Sequence, residues 1–266
     1  MLKENKEYVV PTGIYGLRMY TAADHSVPGV KFGHGGFYRK SLTLFVGTDG
    51  VGRNDILPAL AEYADFMEDY RVLYITVSTA EEFVYWRIYN AKEPTNPGDN
   101  MECAWNKECT ERGTLFVRRV DTGITASGLE EIVLETRPDF VIVDGMELME
   151  NITVERIKKM AMDKRFAAVV YLPHCVGVGD MELSSVPREC SVWADLVITV
   201  VQDDILKGES LYHHAILKNE FGPCAVFMTM MHEDAGLVDV DEATLKRYFK
   251  ERRDSEVIHV RPRAAV

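Results

Sequence analysis

Gly47 and Gly52, with four residues between them, sit in the octet Gly47-Thr48-Asp49-Gly50-Val51-Gly52-Arg53-Asn54. Glycines at that spacing let backbone N–H groups turn inward around an anion, and a helix that starts directly afterwards adds partial positive charge. Both neighbours suit that role. LTLFV, residues 42–46, reads as a short buried strand, and residues 55–67 place Ile56, Leu57, Leu60, Ala64 and Met67 at helical spacing. Strand, glycine loop and helix in that order is the context a phosphate-binding loop requires. The last two residues depart from it. Arg53 stands where such a loop has Lys, and its planar fork is not a point charge on a flexible stem. Asn54 stands where it has Ser or Thr, so the hydroxyl that holds Mg2+ is replaced by an amide oxygen. The octet by itself is equally compatible with a plain glycine-rich turn.

A second strand ending in a carboxylate favours the phosphate reading, because that group can hold Mg2+ beside the phosphates. Residues 139–144, DFVIVD, supply one, with Asp144 at the edge where open α/β sheets place ligands. The candidate phosphate and cofactor contacts are therefore Gly47, Thr48, Asp49, Gly50, Val51, Gly52, Arg53 and Asn54, and the candidate metal ligand is Asp144.

These groups need a scaffold, and the length of 266 residues allows one large α/β domain. Short apolar strands are expected at 71–77, 114–118, 139–144, 167–172 and 196–201, with helices at 79–89, 128–135 and 154–162. Thr79 and Glu82 have the spacing of a capping box for the first of these helices. Residues 212–218 and 225–230, flanking Gly222-Pro223, read as a closing antiparallel pair. The fold class expected is α/β: a mostly parallel sheet flanked by helices, with antiparallel strands at the C-terminal edge. Residues 1–40 read as a glycine-rich extended arm with short strands at 8–10 and 17–20, free to pack on a neighbour, and 91–113 as a long loop or helical excursion. Residues 241–253 read as a basic terminal helix.

Composition narrows the class. With 47% hydrophobic and 27% charged residues the chain is ordinary for a globular protein, and no apolar run reaches membrane-span length. The N-terminus lacks a basic-then-apolar signal pattern, and five cysteines form no CxxC pair, which argues for a reducing cytoplasm and against a zinc site or disulfide framework. A formal charge of −12 lowers the expectation of a broad nucleic-acid groove.

The order of several segments resembles the RecA-like motor core of ring-shaped, DnaB-type replicative DNA helicases, above all those of tailed phages. The resemblance spans residues 29–240. It rests on Gly35-Gly36-Phe37-Tyr38-Arg39-Lys40-Ser41-Leu42, Val51-Gly52, Val72-Leu73-Tyr74-Ile75-Thr76 with Ala80-Glu81-Glu82, and Val141-Ile142-Val143-Asp144 with Leu148-Met149. It continues through Ala194-Asp195-Leu196-Val197 and Leu217-Lys218-Asn219 with Gly222-Pro223. It implies a homo-oligomer, ATP and Mg2+ as ligands held between neighbouring subunits, and translocation on single-stranded DNA. It also implies a division into an arm (1–30), a core (31–240) and a C-terminal helix and tail (241–266).

Several chemical positions depart from that family. Beyond Arg53 and Asn54, Ser78 lies where the family places a water-polarising glutamate, and Pro173-His174 replaces the sensor Gln. The Lys-x-Arg finger offered to the neighbour reads Lys218-Asn219-Glu220, so a carboxylate stands where a guanidinium should offset transition-state charge. Loss of such a finger alone costs about a thousandfold or more in rate. The two inward loops, 149–153 and 175–187, contain no Lys or Arg, so they cannot displace the counterions of a nucleic-acid backbone. The leading expectation is a hydrolysis-deficient, cytoplasmic helicase-core homologue with weak or no nucleic-acid binding. It would work through oligomerisation and contacts with replication or phage proteins, and whether ATP and Mg2+ are retained stays open. The alternatives are an active ATPase or helicase using altered groups, and a structural scaffold on a dead motor fold.

Some residues are read more plainly. His213 and His214, adjacent in a strand, should face opposite ways and not share a metal. His174 is expected to hydrogen-bond locally, and Met228, Met230 and Met231 to pack in the core. Trp86 and Trp193 are expected buried, and Trp105 at an interface.

Overall fold

The structure, a computed structural model, describes residues 8–21, 35–48, 53–67, 69–90, 114–174, 182–203, 206, 210–232 and 236–259. The expected excursion at 91–113, Trp105, and the loop residues Asp49, Gly50, Val51 and Gly52 lie outside them. Three elements precede the glycine loop: strand β1 (Val9–Pro11), helix α1 (Tyr15–Tyr20) and strand β2 (Gly36–Tyr38). Strand β3 (Leu42–Gly47) leads to helix α2 (Arg53–Glu62), which continues into a π-turn at Tyr63–Met67. Then come β4 (Val72–Thr76), α3 (Glu81–Asn90), β5 (Leu115–Arg119), α4 (Ala126–Thr136), β6 (Phe140–Asp144) and α5 (Val154–Lys164). The chain closes with β7 (Ala167–Pro173), α6 (Arg188–Ser191), β8 (Leu196–Asp203), β9 (Leu211–Asn219), β10 (Val226–His232), β11 (Gly236–Asp239) and α7 (Glu242–His259).

Among the described residues, β1 and β2 pair with each other and the other nine strands form one sheet in the order β11-β10-β9-β8-β3-β7-β6-β4-β5. The run from β8 to β5 is parallel, and β9, β10 and β11 are added antiparallel. Strand periodicity of two splits the core in half. One face carries Phe45, Val72, Tyr74, Ile142, Val169 and Ile198 against Leu17, Ile56, Leu57, Val84 and Ile88 of the first three helices. The other carries Leu44, Leu73, Val143, Val170 and Val197 against Leu129, Val133, Ile157 and Ala161 of α4 and α5. Near-continuous apolar strands follow from burial on both faces, as a parallel sheet requires. The expected α/β class and C-terminal antiparallel strands are present.

Local differences have local causes. Residues 17–20 form the end of a helix, not a strand, because Asp239 accepts from the backbone N–H groups of Tyr15 (2.7 Å) and Gly16 (3.1 Å) and so starts α1. The segment packs in its own core: Val9, Val10, Ile14 and Leu17 are buried, and the Tyr70 hydroxyl donates to the Val9 carbonyl at 2.8 Å. Thr79 does not cap α3; its own N–H donates to Thr76 Oγ1 (3.1 Å), and Ala80 begins the helical bonding. Trp86 and Trp193 are exposed, at 44% and 36%, and not in the core. Strand β11 was not anticipated; Leu237 packs against the first face. Met228 and Met230 pack beside Tyr248 of α7, and Met231 on the opposite side.

His213 and His214 face opposite sides, as their adjacency dictates. His213 lies 3.3 Å from Asp203 and beside the Tyr248 ring. His214 stacks on Phe227 (4.7 Å between ring centroids) and shares a 2.8 Å hydrogen bond with Thr229 Oγ1. Burial drives the His214 pKa down to about 3. An unfolded histidine titrates near about 6.5, so below that pH the unfolded chain binds a proton that the fold refuses. Stability is therefore retained above about pH 6.5 and lost as pH falls towards the folded value. Denaturation at pH 7 and pH 5 should show His214→Gln losing about 2 kcal/mol less than the wild type over that interval; equal losses would mean that His214 does not carry the effect.

Candidate functional site

Four parallel strands end together. Gly47 is in register with Pro173 and Val200, and Thr76 with Asp144, so β3, β4, β6 and β7 deliver their last residues to one edge. Gly47 has no room for a side chain: a Cβ there would lie 2.5 Å from the Tyr171 hydroxyl and 2.7 Å from the Val200 carbonyl. Tyr171 donates to the Thr48 carbonyl (3.2 Å) and the His174 N–H donates to the Gly47 carbonyl (2.7 Å). The chain leaving β3 is thus held from below, and α2 starts at Arg53 above the same edge.

Arg53 points back across that edge onto Asp144. Its Nε donates to Asp144 Oδ1, and Nη1 to Glu147 at 3.1 Å. The Arg53 and Asp144 side chains are 10% and 4% exposed, so the pair is sequestered from water, while Glu147 is 29% exposed. Tyr74 on β4 donates to the other Asp144 oxygen at 3.0 Å. Burial first, then the Asp144 charge, pushes the Tyr74 phenol well above its usual range, which keeps it a neutral donor. Burial pulls the Arg53 guanidinium down, but the charges and hydrogen bonds of Asp144 and Glu147 more than offset this and leave it raised. Gly145, at φ 94°, makes the turn that brings Glu147 into reach, and a Cβ there would lie 3.1 Å from Arg53 Nη2.

The remaining sequence candidates spread around this centre. Asn54 accepts from Arg87 Nη1 of α3 at 2.7 Å, so its amide oxygen is engaged by a cation. Ser78 is exposed in the bend after β4. His174 is placed at the end of β7 by its backbone N–H, which donates to the Gly47 carbonyl. Lys218 turns back on its own chain, donating to the carbonyls of Ala194 (2.6 Å) and Ser191 (3.4 Å), with Glu220 at 3.5 Å. The structure therefore brings Arg53 and Asp144 together, while Lys218 and Glu220 bond elsewhere and Ser78 follows Val77, whose N–H donates to the Asp144 carbonyl at 3.2 Å. Tyr74, Glu147 and Arg87 were missed. For Glu147 the signal was its place three residues beyond Asp144 across a glycine; for Tyr74 it was a phenol in the middle of an otherwise apolar stretch of strand, in the neighbour of DFVIVD. Among the described residues no group of three His, Cys, Asp or Glu is placed to hold a metal ion.

No protein-family model and no curated protein matches the sequence. Solved structures do. The chain is similar to a DnaB-like replicative helicase whose interactions with primase have been described, with TM-score 0.67 and 14% identity over 87% of this chain. The ATPase domain of a phage SPP1 helicase also matches, with TM-score 0.57 and 14% identity over 77% of this chain and 86% of that one. The fold is that of a DnaB-type helicase core. This chain spans 62% of the length of the first of these structures. Arg53 and Asp144, singled out in the sequence as candidate phosphate contact and candidate metal ligand, are in this fold each other's partner.

Removing one member of a buried ion pair strands the other charge. Asp144→Ala should lower the unfolding free energy by about 3–5 kcal/mol, measured by denaturant titration. An aspartate merely waiting at a strand end for a metal would give a change close to zero.

Proposed function

We propose that this chain is a helicase-core homologue whose nucleotide site is degenerate and does not support ATP hydrolysis, and that it acts in phage DNA replication or assembly through oligomerisation and protein contacts. The observation that carries the reading is the buried Arg53–Asp144 pair. Phosphoryl transfer depends almost wholly on positioned charge. A cation bonded to the carboxylate that should hold Mg2+ offers neither its charge to a phosphate nor the carboxylate to a metal. The donor set fits a magnesium–phosphate group in kind, since a guanidinium suits phosphate and Asp144 with Glu147 suits Mg2+. It fits only after Arg53 has left Asp144.

Three further observations support the reading. Lys218 is committed to backbone carbonyls of its own chain, and Glu220, 58% exposed, presents a negative charge at the finger position. Glu147 precedes the first inward loop and Glu150 lies within it, where a DNA-tracking surface needs cations. Large apolar side chains stand exposed in pairs, Phe83 with Trp86 on α3 and Val192 with Trp193 after α6, as surfaces that meet other proteins do. The phage setting rests on the likeness to the phage ATPase domain. No helix among the described residues is long and apolar enough to cross a membrane.

ATP turnover by the purified, oligomer-sized protein with Mg2+ is the test. The expected rate equals that of a protein-free blank, is unchanged by single-stranded DNA and is the same in Asp144→Asn. DNA-stimulated turnover that disappears in Asp144→Asn would overturn the reading and make this an active motor with altered groups.

A further inference from the structure

The Arg53–Asp144–Glu147 cluster, two of whose members are buried, has a consequence for binding, which rests on reading this edge as the inherited nucleotide site. Arg53 holds Asp144 through Nε and Glu147 through Nη1 (3.1 Å), and Tyr74 closes the second Asp144 oxygen at 3.0 Å. A phosphate anion that drew Arg53 away would leave Asp144, 3% exposed, as a buried carboxylate without its cation. A divalent cation that took Asp144 and Glu147 would leave Arg53, 9% exposed, as a buried guanidinium without its anions. Either event alone strands a charge in a poorly solvated place, which is costly. When both arrive together, the internal ion pairs of Arg53 are exchanged for external ones and no charge is stranded.

We propose that the Arg53–Asp144–Glu147 triad is an intramolecular latch that admits a divalent cation and a phosphate-bearing anion only together. Each ligand's affinity then depends on the other. By linkage the coupling is reciprocal: Mg2+ tightens the anion by the same factor as the anion tightens Mg2+, and a factor of about tenfold or more is the scale of such effects. The surroundings keep the latch shut in their absence. Gly145 leaves just enough space for Arg53 Nη2, and Asn54, the next residue of α2, is engaged by Arg87. The latch also couples release, since loss of either ligand restores the internal pair and expels the other.

The test is a two-by-two titration of the full chain, with ATP or tripolyphosphate as the anion and Mg2+ or Mn2+ as the cation. Calorimetry reads the anion, and the free Mn2+ signal in electron paramagnetic resonance reads the metal. The expected result is no saturable binding of Mn2+ alone, none of the anion in EDTA, and binding of each in the presence of the other. In Asp144→Asn, where Arg53 no longer faces a full charge at that position, tripolyphosphate should bind in EDTA about tenfold or more tighter than in the wild type. Should that variant not fold, the wild-type titration decides alone. Binding of either ligand by itself with the affinity it has in the pair would overturn the latch, and so would absence of binding with both present. That last result would leave the hydrolysis-deficient reading standing. Coupled binding accompanied by turnover would do the reverse, keeping the latch and overturning that reading.

Discussion

An arginine at the first turn of α2, sealed from water, must find negative charge within its reach, and that requirement organises the edge of the sheet. Asp144 is the carboxylate that the strand register delivers there, because β6 runs parallel to β4 and ends level with Thr76. Glu147 follows because Gly145 turns left-handed immediately after the strand. Tyr74 completes the set from the neighbouring strand. A buried ion pair stabilises little in net terms, but an unpaired buried charge is expensive, so each member makes the others necessary.

The same edge keeps its geometry without a ligand. The β3–α2 connection is held by sheet packing: Tyr171 lies under Thr48, and the Tyr212 hydroxyl donates to Asp55 in the first turn of α2. None of these contacts requires a nucleotide. Arg53 is compensated by Asp144 and Glu147 without any ligand, and the two faces of the sheet supply the rest of the core. Accessible among the described residues are Glu147 and Glu150 beside the site and Phe83 and Trp86 on α3.

Much of the sheet was legible because buried parallel strands have no alternative to runs such as LFV, VLYIT and VIVD, and the helices between them show their apolar face at fixed spacing. Less was legible where tertiary contacts overrode local signals. Residues 17–20 look extended, yet Asp239, more than 200 positions later, starts a helix over them. The two exposed tryptophans are apolar by type, and nothing in a single sequence says which side of α3 faces the sheet. Within the site, the residue types of Arg53 and Asp144 were visible and their positions followed from motif order. Their bond to each other was not, because it depends on a side-chain rotamer across two strands. Glu147 and Tyr74 carry no motif and became evident only from register and turn geometry.

The most direct test of this account is a double-mutant cycle on the pair, with Arg53→Met, Asp144→Leu and the two combined, each measured by denaturant unfolding. If the two charges neutralise each other in a buried site, the double variant should be more stable than the sum of the single effects implies, with a coupling of about 2 kcal/mol or more. Effects that add to within about 0.5 kcal/mol would show that Arg53 and Asp144 do not hold one another, and the closed-site account would fall with them.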